Sequence, residues 1–485
     1  MPASPIALRL GERAFAQVDQ HWFAAASGDS NPMHMDPVAA RRLLTGHQLV
    51  HGIHTLLWAL DLWRRDSSAA LSTVECEFSN PVNVGDTVVF SRRDEKPGQS
   101  TIVAAVEGLA CTQVLIDTIE PEAASNDRVA EHIANAVRPD SLDTPLAEPP
   151  IAQVGRGYVL RLGDADWLAR SFPNAAAALL PKRLAALATL SRFVGMVCPG
   201  LNSVFSSVRF APSADAGKEM FFFVKKYDDR FRLFIISFEG CIRGEIRAFL
   251  RPPPQEQPSM QDVAAKVRPG EFGGTRSLVL GGSRGLGETV AKIVAAGQGD
   301  VTVSYASGAD DAQRVAGEIN AFGLGRCTPL KLDLEVDGFH EVGIDASLLD
   351  AVYYFATPRI FRKKGDLFDR GLFNEFITFY VDRFSALCAW LETGAQGRQI
   401  KVYLPSTVFI SDRPKGMTEY AMAKAAAEIL VQDLNRSLKN VSVVASRLPR
   451  LATDQTASIM KIATDSNVDA LLPVVRDLNR RAADA

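Results

Sequence analysis

"SLVLGGSRGLGETVAKIVAA" (residues 277–296) runs an apolar, strand-like stretch into a glycine-rich turn and then into small and apolar residues at helical spacing. Its glycines at 281, 285 and 287 have a G-x3-G-x-G spacing, which leaves the backbone bare where strand becomes helix. Bare backbone at a helix N-terminus can approach a pyrophosphate, whose negative charge the aligned N–H groups favour. From this point strands and helices alternate. VTVSYA is followed by a helix from 309, then CTPLKLDL, AVYYFAT, a long helix near 370–394, IKVYLPS, a helix from 418 and VSVVASRL. Such alternation predicts a doubly wound parallel sheet.

Upstream of residue 275 the plan differs. "EPEAASNDRVAEHIANAVRPDSLDTPLAEPP" (120–150) is polar, acidic and proline-containing, with one short helix, and "RPPPQEQPSMQDVAAKVRPGEFGG" (251–274) opens on prolines and closes on glycines. Both have linker composition. The expected division is therefore a domain over 1–120, a linker over 121–149, a domain over 150–255, a linker over 256–274 and a domain over 275–485. In the first domain, Asp36-Pro37 starts a helix, and HGIHTLLWALDLWRR (51–65) carries apolar residues at helical spacing. STVECEF, TVVFSRR, TIVAAVEG and TQVLIDTI then read as strands. The second domain repeats that plan: a buried helix at 182–197, then SVFSSVRFAP, EMFFFVKKY, FRLFIISFE and IRGEIRAFL. Two successive helix-plus-meander units predict a duplicated module, by pattern rather than by identity.

A net charge of −3 gives no electrostatic footing for nucleic acid or an anionic membrane, so neither is expected as a partner. No basic leader, long apolar run or lipidation signal is seen, which predicts a cytoplasmic protein. The six cysteines (76, 111, 198, 241, 327, 388) never form CxxC, and so predict neither a disulfide framework nor a metal site. Five of the seven histidines fall between residues 21 and 54, and none lies between His132 and His340. Residues 150–255 therefore cannot hold a histidine-based acid/base pair.

Two short stretches carry chemistry. In "TEYAMAKAAAEIL" (418–430), Tyr420 and Lys424 lie four apart on one helix face. A phenol of pKa about 10 is a poor acid/base at neutral pH unless a neighbouring cation lowers it. Ser406 and Thr407, at a predicted strand end, could hold a substrate carbonyl. In "HWFAAASGDSNPMHMDPVAARRLL" (21–44), Asp29 and His34 stand five apart across Asn31-Pro32. They form either an acid/base pair or an Asx-turn beside an ordinary loop histidine. The helix beginning near His51-Gly52 would offer free backbone N–H groups to an oxyanion.

Taken together, the glycine turn, the hydroxyl and the Y-x3-K pair over residues 275–455 resemble the short-chain dehydrogenase/reductases. That resemblance implies Tyr420 as proton donor, Lys424 as its partner and Ser406 as the substrate-orienting hydroxyl, with Thr407 beside it as a substrate-binding residue. It further implies a cofactor site of Gly281, Ser283, Arg284, Gly285, Leu286, Gly287, Asp333 in KLDL, Ala356 and Thr357 in FAT, and Thr453 in RLPRLATD, together with Tyr420 and Lys424. VTVSYASGADD lacks an acidic residue at its strand end to select a free ribose 2′-hydroxyl. Arg284, joined by Ser304 or Ser307, could pair with a 2′-phosphate, which makes NADPH rather than NADH the expected cofactor. The chain departs from the family at Phe379-Tyr380, where an Asn is usual in the long helix, and in the 32 residues after Thr453, which shorten the substrate-covering region and last strand.

SGDSNPMHMDPVAA, LVHGIHTL and EFSNPVNVGDTV, in that order over residues 15–118, resemble the MaoC-like, hot-dog-fold (R)-specific enoyl-CoA hydratases. Asp29 and His34 then correspond to the catalytic pair, Asn31 to its supporting polar residue and Gly52 to the thioester-binding helix start. Residues 150–255 look like a degenerate second hot-dog that shapes the acyl pocket, with Phe172, Met196 and Phe205 as either lining or core. The fold class expected is an α+β double hot-dog N-terminal region followed by an α/β Rossmann-like doubly wound parallel sheet. The function expected is a bifunctional NADPH-dependent 3-ketoacyl-thioester reductase and 3-hydroxyacyl-thioester dehydratase, acting on acyl-CoA or acyl-carrier-protein thioesters. It would hold no metal and would assemble as a homo-oligomer, as part of a biosynthetic assembly. Two alternatives stay open: enoyl-CoA hydration followed by NAD-linked oxidation, and a thioester-binding scaffold with one or both halves non-catalytic.

Overall fold

Residues 7–43, 46–119, 135–139, 142–214, 217–341, 343–360, 368–456 and 464–480 are described by the structure, a computed structural model. Much of the expected 121–149 linker lies outside them. The chain divides into two units, the first ending at Pro253 and the second beginning at Pro254.

The first unit is built on β1 (Leu8–Ala14), β2 (Thr73–Phe78), β3 (Thr87–Lys96), β4 (Gln99–Val106), β5 (Leu109–Asp117), β6 (Gly157–Arg161), β7 (Ser203–Pro212), β8 (Glu219–Asp228), β9 (Leu233–Glu239) and β10 (Ile242–Leu250). They form one antiparallel sheet in the order β1-β3-β4-β5-β2-β7-β10-β9-β8-β6. Read outward from the β2–β7 junction, the halves have the same sequence of positions, so the expected duplication is present in the topology. The junction pairs Val74 with Phe210 and Cys76 with Val208. A central helix crosses each half: Gly52–Arg65, burying Ile53, Leu56, Leu57, Leu60 and Trp63, and Pro181–Arg192, burying Leu184, Leu187 and Leu190. These side chains recur at the three- and four-residue spacing that puts one helix face on the sheet. Sequence reading missed the edge strands β1 and β6. Both are short, and β1 (LRLGERA) is half-exposed and weakly patterned.

In the second unit β11 (Arg276–Leu280), β12 (Asp300–Tyr305), β13 (Arg326–Lys331), β14 (Ala351–Tyr354), β15 (Ile400–Thr407) and β16 (Val441–Leu448) are all parallel, in the order β13-β12-β11-β14-β15-β16. This is the 3-2-1-4-5-6 order of a Rossmann-like sheet, which places a crevice at the carboxyl ends of β11 and β14, where the winding reverses. The sheet ends at β16 among the described residues, and the helix Asn467–Asn479 follows. The stretch 256–274 is not an open linker. Ser259 and Asp262 form a capping box for the helix Met260–Ala264, and Met260, Val263, Val267 and Phe272 are buried in this unit's core. Proline and glycine content hid an i, i+3, i+7 apolar pattern.

Candidate active sites

In the first unit the helix Gln17–Ser27 ends at Gly28, whose φ of 81° is the left-handed conformation that lets the chain turn inward. Asp29 follows at once and is buried. Its backbone N–H donates to Ser27 Oγ (3.1 Å), and its Oδ1 accepts from Asn31 N–H (3.3 Å), so the Asx-turn exists. The turn is what aims the carboxylate. Oδ2 accepts from Ser191 Oγ at 2.7 Å, and Ser191 comes from the central helix of the second half. His34 is also buried, and its Nδ1 is 2.8 Å from the Leu49 carbonyl oxygen. That bond puts the proton on Nδ1 and leaves the Nε2 lone pair for other chemistry.

His51, which sequence reading used only as a helix boundary, completes the cluster. Its ring stacks on His34 at 3.9 Å between centroids, Nε2 donates to the Asp29 carbonyl oxygen at 3.1 Å, and Nδ1 is 3.0 Å from Gln20 Oε1. One side-chain donor atom from each of Asp29, His34 and His51 lies within 4.8 Å of the others. The Asp29 carbonyl and the Gln20 side-chain amide engage the two nitrogens of His51, and the Leu49 carbonyl engages one of His34, so the geometry resembles a proton-handling cluster more than a set of open metal ligands. Burial raises the Asp29 carboxyl above its ordinary range, opposed by the His34 charge, the Ser191 hydroxyl and the Asn31 N–H. Burial lowers His34, opposed by Asp29. It lowers His51 well below its usual value, helped by the neighbouring His34 charge. A carboxyl pushed up beside an imidazole pushed down can share one proton.

Asn31 is not available to a substrate. Its Nδ2 donates to the carbonyl oxygen of Gly195 at 2.7 Å, with Gly200 and Leu201 carbonyls at 3.3 and 3.4 Å, and its Oδ1 accepts from Met33 N–H. Its amide is spent latching the loop to the second half. Gly52 opens the helix Gly52–Arg65, and a Cβ there would stand 3.0 Å from the Phe78 ring. Phe172 and Met196 are fully buried and Phe205 packs on Phe78, so all three serve the core. Gly195 touches Asp29 so closely that a Cβ would collide with the carboxylate. The second half thus builds the site through Ser191 and Gly195, a serine and a glycine that carry no motif of their own.

In the second unit the turn after β11 holds Gly281 at φ 76° and Gly285 at φ 60°, and the helix Gly285–Ala296 starts without a side-chain cap. Its first-turn N–H groups have no partner within the helix. A Cβ at Gly287 would strike the Gly281 carbonyl and one at Gly285 would stand 3.7 Å from the Thr453 methyl, while Ser283 lies in the turn and Leu286 in the first turn of the helix. Ser304 points into the turn itself. It is buried, its Oγ accepting from Gly281 N–H at 3.0 Å, and so it braces the turn. Arg284 lies at the turn with Nη1 3.2 Å from the Asp454 carboxylate. Asp333 caps its own loop by accepting from Glu335 N–H. Ala356 and Thr357 follow β14, and Thr453 bonds Thr456.

The Tyr420 phenol is buried among the rings of Phe376, Tyr380 and Phe409. It is held above its ordinary pKa by that burial, opposed by a hydrogen bond from Thr407. Lys424 Nζ donates to the Pro405 carbonyl at 2.7 Å, and burial brings its pKa down to about 7. Ser406 is turned away from Tyr420, donating to Glu428 Oε1 at 2.5 Å, while Glu428 also holds Arg447. The hydroxyl beside Tyr420 is therefore that of Thr407. Successive residues of a strand point to opposite faces, so the choice between them turned on register, which the order Ser-Thr does not display.

Residues 7–107 match the family described as "MaoC like domain". No curated protein matches the chain. Among solved structures, a short chain dehydrogenase from Burkholderia cenocepacia in complex with NADP is 25% identical, covering 42% of this chain and 91% of its own (TM-score 0.37). A putative short chain dehydrogenase from Pseudomonas syringae is 20% identical, covering 44% and 92% (TM-score 0.36). Landomycin C-6 ketoreductase with bound NADP and rabelomycin is 23% identical, covering 37% and 78% (TM-score 0.33). No helix among the described residues is long and apolar enough to cross a membrane.

Proposed function

We propose that the chain is bifunctional, a 3-hydroxyacyl-thioester dehydratase in its first unit and an NADPH-dependent 3-ketoacyl-thioester reductase in its second. The observation that carries the reading is the buried Asp29–His34 pair, with the Ser191 hydroxyl on one partner and the Leu49 carbonyl on the other. In the dehydration direction, the free Nε2 of His34 takes the Cα proton that the thioester acidifies. Asp29, protonated in its raised-pKa state, returns a proton to the leaving hydroxyl. The N-terminus of the helix Gly52–Arg65 is the group suited to the thioester oxygen.

For reduction, the uncapped Gly285–Ala296 helix start and the bare turn before it fit a dinucleotide pyrophosphate. No acidic residue stands at 305–308 to select a free 2′-hydroxyl, and Arg284 and the exposed Ser307 suit a 2′-phosphate. NADPH, when bound, supplies the hydride. Thr407 orients the substrate carbonyl, Tyr420 gives its proton to the carbonyl oxygen, and Lys424 stands beside it to help restore that proton.

The purified protein should hydrate crotonyl-CoA and oxidise NADPH with acetoacetyl-CoA. Asp29→Asn should abolish only the first activity and Tyr420→Phe only the second, each by about 10²-fold or more. Wild-type protein inert in both assays, or activity insensitive to both substitutions, would overturn the reading.

A further inference from the structure

The helix that runs from Arg370 to Gly394 is interrupted by a π-helical turn, Thr378–Arg383. Such a turn adds a residue to the helical ladder and frequently marks a functional position. Here it presents Tyr380, whose ring is fully buried. The ring face lies 3.7 Å below Lys424 Nζ, and the ring meets that of Tyr420 edge-on at 5.9 Å. Its hydroxyl is paired with Thr357 Oγ1. Thr357 spends its own proton on the Pro358 carbonyl at 2.9 Å, so the Tyr380 hydroxyl is the donor in that pair. One side chain therefore touches two places at once: the ammonium beside the proton donor, and the loop after β14 at the crevice.

We propose that Tyr380 is a positioning residue of the reductase site, its ring face seating the Lys424 ammonium and its hydroxyl pinning Thr357 in the loop that borders the nucleotide. The inference rests on reading the second unit as an NADPH site. A phenyl face attracts a desolvated cation, so the ring favours the charged form of Lys424. The groups that face Lys424 are Tyr380 from the π turn, Tyr420 and Glu428 from its own helix, and the Pro405 carbonyl from β15. Glu428 also favours the charge, but it is shared with Arg447 and Ser406. Glu375 and Tyr354 act on Tyr380 electrostatically. The ring and the hydroxyl thus have separable duties.

The test is the NADPH dissociation constant of the full chain, followed by fluorescence from pH 5.5 to 9 in about half-unit steps, with kcat measured in parallel. The ammonium form of Lys424 favours an anionic nucleotide, so wild-type affinity should weaken as pH rises through about 7. Tyr380→Phe keeps the ring and loses the clamp. It should weaken NADPH about fivefold at every pH without moving the midpoint. Tyr380→Leu loses both, and should move the midpoint down by about one unit as well. If the Leu variant fails to fold, the Phe variant decides alone, since unchanged affinity or a moved midpoint would contradict the division of duties. The same response from both variants would likewise overturn it. Wild-type protein that binds no NADPH would remove the reductase reading and this inference together, whereas tight binding insensitive to Tyr380 removes only the inference.

Discussion

Asp29 shows how one side chain can be both structural and chemical. Its Oδ1 closes a local turn while its Oδ2 is held by Ser191, 162 residues away. The Ser191 bond favours the carboxylate against burial. Ser191→Ala should therefore raise the Asp29 pKa further and, on the proposed reading, move the acid limb of the pH profile of crotonyl-CoA hydration to higher pH, by about half a unit to one unit. A profile that stays in place would show that Ser191 does not act on the carboxyl. In the second unit the contrast lies between adjacent hydroxyls. Thr407→Ala should lower kcat about tenfold or more, whereas Ser406→Ala should mainly loosen the Glu428–Arg447 pair and leave kcat within about twofold. The reverse ranking in steady-state kinetics would restore Ser406.

Two elements that depart from regular helix stand beside the two sites. The π-helical turn Phe193–Val197 presents Gly195 to Asp29, and the turn Thr378–Arg383 presents Tyr380 to Lys424. In the first, Asp29 can occupy its place only because position 195 has no Cβ. Gly195→Ala should displace the carboxylate by a few tenths of an ångström or more and cut crotonyl-CoA hydration by about 10²-fold. Reduction in the other unit should be unchanged, and loss of both activities would point to misfolding instead. Sequence periodicity predicted helices at both places. The extra residue of a π turn was invisible, because apolar spacing cannot distinguish it from continued α-helix.

Over a whole unit, a buried lysine is a cost the fold carries for the site. Lys424 has its folded pKa lowered to about 7, against about 10.4 for an unfolded lysine. Between those values the unfolded chain binds more protons, so this group makes the second unit more stable as pH rises from about 7 to about 10. Lys424→Met should remove the penalty, raising the melting temperature most at pH 6 and progressively less towards pH 10. Calorimetry at those two pH values checks the sign, and a stabilisation that grows with pH would contradict the burial argument. In the first unit, the β2–β7 junction makes one sheet of two repeats, so the repeat without histidines is structurally continuous with the one that has them.

Periodicity was sufficient for the parallel order of the second unit, because strand–helix alternation leaves few right-handed ways to wind a sheet. It was sufficient too for the duplicated plan of the first unit. Asp29, His34, Tyr420 and Lys424 lie within single local segments, and the resemblance of those segments to known families, not their spacing alone, singled them out. The tertiary structure decided what depends on distant chain segments or on which face a residue takes. It chose Thr407 over Ser406 by the strand's alternation, turned Asn31 and Ser304 into braces, and brought Ser191, Gly195 and His51 to Asp29. It also set Tyr380 beneath Lys424. None of these has a fixed spacing from its partner, since only packing brings such residues together.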